Sequence, residues 1–140
     1  QKPKELINKM YDYLRNDGFL VIIGPGKSNA IELDKLNKTI TDLDPKPGYG
    51  ERQKRIEEEF YQLTTEKFGK VNCNLEILNH QLSFPNENEY ANYYWSTLLW
   101  RESLERLKSP NIDELKKQTL NEIKNLTINK QVSSLVVKKV

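Results

Sequence analysis

The chain has 140 residues, 36% hydrophobic and 30% charged, with a net charge of +2 from 22 basic and 20 acidic side chains. That length suits one domain, and so even a charge balance, with only five arginines, argues against a nucleic-acid or acidic-lipid partner. No apolar run nears the ~20 residues of a membrane span, and a single cysteine, Cys73, excludes an intrachain disulfide and a cysteine-based zinc site.

No signal-peptide pattern is recognised, and the lone cysteine fits a reducing compartment, so a cytoplasmic location is expected. Gln1 is not an initiator methionine, from which further chain upstream is expected. Pro3 to Asn16 reads as a first helix, with Leu6, Ile7, Met10, Tyr11 and Leu14 on one face. Gly18 stops it. Phe19 to Ile23 are then apolar without alternation, the pattern of a strand buried on both faces and therefore central in a sheet. Gly24-Pro25-Gly26 turns the chain, and Ser28 or Asn29 is placed to cap a second helix over 29–43.

Asp44 to Gly50 is a Pro/Gly loop, and a charged helix follows from Glu51 to Lys67. Val71, Cys73, Leu75 and Ile77 alternate with polar residues, which predicts a second strand. His80 to Pro85 reads as extended chain or loop. One long aromatic helix is predicted from Glu87 to Leu107, broken by Ser109-Pro110, with another from about Asn111 to Leu126. A final strand covers 128–140, with Leu135-Val136-Val137 at its centre. Three strands are few for an α/β sheet, which usually has ~5–6. An apolar strand on an open edge is also an aggregation hazard, so the rest of the sheet is expected to come from elsewhere.

The run LRNDGFLVIIGPGKSNAIELDKL resembles the fifth strand and following helix of class I S-adenosylmethionine-dependent methyltransferases. KFGKVNCNLEILNHQLSFPNENEYANYYWSTLLWRES is similar to the sixth strand with a helical insertion, and INKQVSSLVVKKV to the seventh, which runs antiparallel between the fifth and sixth. The resemblance implies an α/β fold: the last three strands of a partial Rossmann-like sheet, with 19–23 central and a helical insertion over 86–126. It implies one domain over 1–140, the C-terminal part of a larger methyltransferase domain. It also implies a methyl transferase acting on a small molecule, this chain alone being inactive. The family's G-x-G loop and the acidic residue that holds the ribose hydroxyls are absent here. S-adenosylmethionine is accordingly expected to be bound by a missing N-terminal half, with that half or a homodimer partner as the main protein contact.

The candidate substrate-binding residues are Gly24 and Pro25 at the turn, His80 after the second strand, and Tyr93, Tyr94, Trp100 and Arg101 on the aromatic helix. A turn at a strand's carboxyl end is where α/β sheets place ligands, a histidine titrates near working pH, and aromatic rings stack on planar or apolar substrates. Each has a plainer reading. Gly24 to Ser28 cannot be a phosphate loop, because that pattern would put its first glycine at Val21 inside the strand, although a helix N-terminus there could attract an anion. The aromatic helix can simply be core, Arg101 can pair with Glu105, and His80 lacks a metal or nucleophile partner. Cys73 reads as core, and Glu57-Glu58-Glu59 as a solvated face. No catalytic residue and no metal ligand is assigned. A non-enzymatic α/β interaction or dimerisation domain is the competing reading.

Overall fold

The computed structural model describes residues 2–140. It is an α/β structure whose single sheet, among the described residues, contains three strands: β1 (Phe19–Pro25), β2 (Cys73–Ser83) and β3 (Thr127–Lys138). They lie in the order β1-β3-β2 and the sheet is antiparallel, with β3 pairing β1 from Phe19↔Lys138 to Pro25↔Val132. The middle strand is therefore β3. The expectation that 19–23 is central is corrected: β1 has β3 on one side and no strand on the other among the described residues.

The helices are α1 (Pro3–Tyr13), α2 (Ile31–Thr41), α3 (Tyr49–Lys54), α4 (Tyr61–Phe68), α5 (Glu87–Trp95), α6 (Leu98–Arg106) and α7 (Ile112–Glu122). A π-helical segment, Ile56–Phe60, leads into α4, and a 3₁₀ turn, Lys70–Asn72, follows it. The long helix expected over 87–107 is two. Ser96 ends α5, and the Thr97 hydroxyl accepts a hydrogen bond from the Trp100 N–H, capping α6. Asn86 and Asn111 cap α5 and α7 in the same way, accepting from the Glu89 and Glu114 N–H groups.

Chain contacts gather into two compact units. The first comprises residues 1–29, 50–79 and 131–140, and the second residues 30–49 and 80–130. In the first, Ile7, Ile56, Phe68, Leu135 and Val137 form a buried core, with Leu20, Ile22, Cys73 and Leu75 packed against it. α1 and α4 lie together, and Tyr11 meets Phe68 edge-on at 5.0 Å. In the second, α2 packs on α6 and α7, and α5 on α6 and α7. Its core is Leu33, Leu36, Ile40, Tyr90, Tyr94, Trp100 and Ile128. The helices expected as an insertion over 86–126 belong to this second unit.

Candidate functional site

In the first unit the sheet has one covered and one bare face. Leu20 and Ile22 point into the core, whereas Phe19, Val21 and Ile23 are 61%, 53% and 66% exposed. The burial expected on both faces of this strand is thus corrected. A continuous apolar run still alternates its side chains, and only one set here has helices against it. Val132 on β3 and Leu78 on β2 extend the bare face.

The edge of β1 is equally open. Gly26 N–H donates to the Gln131 carbonyl, and Lys139 N–H to the Gly18 carbonyl. With the register above, this alternation turns the backbone of Leu20, Ile22 and Gly24 toward β3 and that of Phe19, Val21 and Ile23 outward. Pro25 falls in the outward set, where its missing N–H costs no ladder bond. An added strand would find three donor–acceptor pairs and an apolar stripe in register with them.

The Gly24-Pro25-Gly26 turn is braced rather than vacant. The π-helical segment, closed by a Phe60 N–H to Arg55 carbonyl bond, sets Ile56 beneath Gly24. It also places Glu57, whose Oε1 accepts from the Lys27 N–H at 2.8 Å and the Ser133 hydroxyl at 2.7 Å. Ser28 N–H donates to Gln131 Oε1, and Gln131 N–H to Asn29 Oδ1. Lys27 Nζ pairs with Glu58 at 2.8 Å, which raises the lysine pKa and lowers that of the carboxyl. The Lys27 and Ser28 amides that could receive an anion are therefore engaged. Neither Ser28 nor Asn29 caps α2, whose N-cap is Ala30 in the left-handed conformation at φ 53°. Glu57, expected on a solvated face, is half-buried and ties the turn to β3. Its role rests on contacts 30 and 76 residues away, which no local pattern signals.

The other sequence candidates lie in the second unit. Tyr94 is fully buried, its hydroxyl donating to Asn37 Oδ1 at 2.7 Å, and burial pushes its pKa up. Trp100 is 4% exposed and meets Tyr94 edge-on at 5.3 Å. Both are core side chains. Tyr93 is half-buried against Phe84, Arg101 is exposed and unpaired with Glu105 among the described residues, and His80 is exposed within β2 rather than in a loop. Cys73 is half-buried, and burial pushes its thiol pKa up, away from a reactive thiolate.

Among the described residues no cluster of three or more His, Cys, Asp or Glu side chains could hold a metal, and no helix is long and apolar enough to cross a membrane. No protein-family model matches the chain, and no curated protein is significantly similar to it.

Proposed function

We propose that this chain is the substrate-side portion of an S-adenosylmethionine-dependent methyltransferase acting on a small molecule. The observation that carries the reading is the sheet order: the last strand lies in the middle, antiparallel to β1, with β2 beyond it. That is the arrangement implied for the seventh, fifth and sixth strands of the methyltransferase sheet. The open edge and bare apolar face of β1 supply the junction at which further strands continue the sheet. The family's G-x-G loop is absent from the sequence and the Lys27 and Ser28 amides are engaged, which supports assigning the cofactor contacts to other parts of the sheet. The cofactor's contacts belong to those further strands, and this chain supplies a wall that positions the acceptor. Methyl transfer depends mainly on proximity and alignment, so such a wall needs few marked catalytic groups.

The same open edge supports a second reading, an interaction or dimerisation domain with no chemistry, in which β1 pairs with a partner strand. Calorimetric titration with S-adenosylmethionine separates the two. The intact polypeptide is expected to bind it, and residues 1–140 alone are not. Absence of binding by the intact polypeptide would sink the methyltransferase reading, and tight binding by 1–140 alone would overturn the division of roles.

A further inference from the structure

We draw no further inference here: the strongest candidate, the open edge and bare apolar face of β1 at Phe19, Val21 and Ile23, belongs to the junction already described, and nothing in the structure shows what covers it.

Discussion

Asn37 shows how one residue organises the second unit. Its Oδ1 accepts from both the Tyr94 hydroxyl (2.7 Å) and the Ser103 hydroxyl (3.1 Å), while its carbonyl accepts from the Thr41 hydroxyl. All four residues are buried. Asn37→Ala strips two buried donors of their acceptor, and at ~1–3 kcal/mol each the loss is expected to reach roughly 2–5 kcal/mol. Urea denaturation of Asn37→Ala, Tyr94→Phe and the double variant measures it, and a double variant no worse than Asn37→Ala is the expected coupling. Tyr90 gives a pH dependence. Its folded pKa of about 12 lies above the ordinary value near 10, so between those values the unfolded chain releases the proton first. The stability contribution is thus complete below pH 10 and is lost as the pH climbs to 12, by about 2–3 kcal/mol. Tyr90→Phe is expected to flatten that part of the stability–pH curve, and an unchanged slope would contradict the burial argument. None of these partnerships was legible in the sequence. Tyr94 and Trp100 read as core or as substrate wall, with core the plainer reading, because helical spacing ranks faces without naming what covers them. Asn37 and Glu57 carry no local signal at all, since their partners are remote in sequence.

Elements were more legible, and their misreadings have definite causes. β2 follows from alternation and β1 and β3 from short apolar runs, whereas α1 ends at Tyr13, short of the Asn16 expected ahead of Gly18. The break between α5 and α6 follows from Ser96-Thr97, whose threonine is a good N-cap residue, yet the aromatic run on either side masked it. Thr97→Ala is expected to cost about 1 kcal/mol by chemical denaturation, as loss of a cap does. β1 was recognised as a strand but its exposure was not, since five successive apolar residues look alike whether one face or both are covered. Gly24 reports the packing of that strand. A Cβ there would stand 2.8 Å from Ile56 Cδ1, so Gly24→Ala is expected to destabilise by roughly 1–3 kcal/mol. Ile56→Val deletes that methyl. The pair Gly24→Ala/Ile56→Val should therefore be more stable than the sum of the single variants, and strict additivity would show that the π-helical segment does not press on the turn.

Among the described residues the three strands cover the core of the first unit and leave the far side of the sheet bare. Phe19, Val21, Ile23, Val132 and Leu78 leave a stripe of apolar surface next to three outward-facing backbone pairs. Natural sheets protect such edges with charge, proline or a covering element, and β1 has only Pro25 at its end. Residues 1–140 are accordingly expected to self-associate, with a sedimentation coefficient that rises with concentration. Val21→Lys places a charge in the middle of the stripe while leaving the inner core untouched. It should shift the chain toward monomer and change the unfolding free energy by no more than about 0.5 kcal/mol, as surface substitutions do. Leu135→Ala, on the covered side of β3, is the contrasting case. It should cost roughly 2–5 kcal/mol without weakening association of whatever remains folded. Should the unmodified chain sediment as a monomer at every concentration and melt cooperatively, the sheet needs no completion, and the proposed junction at β1 falls with it.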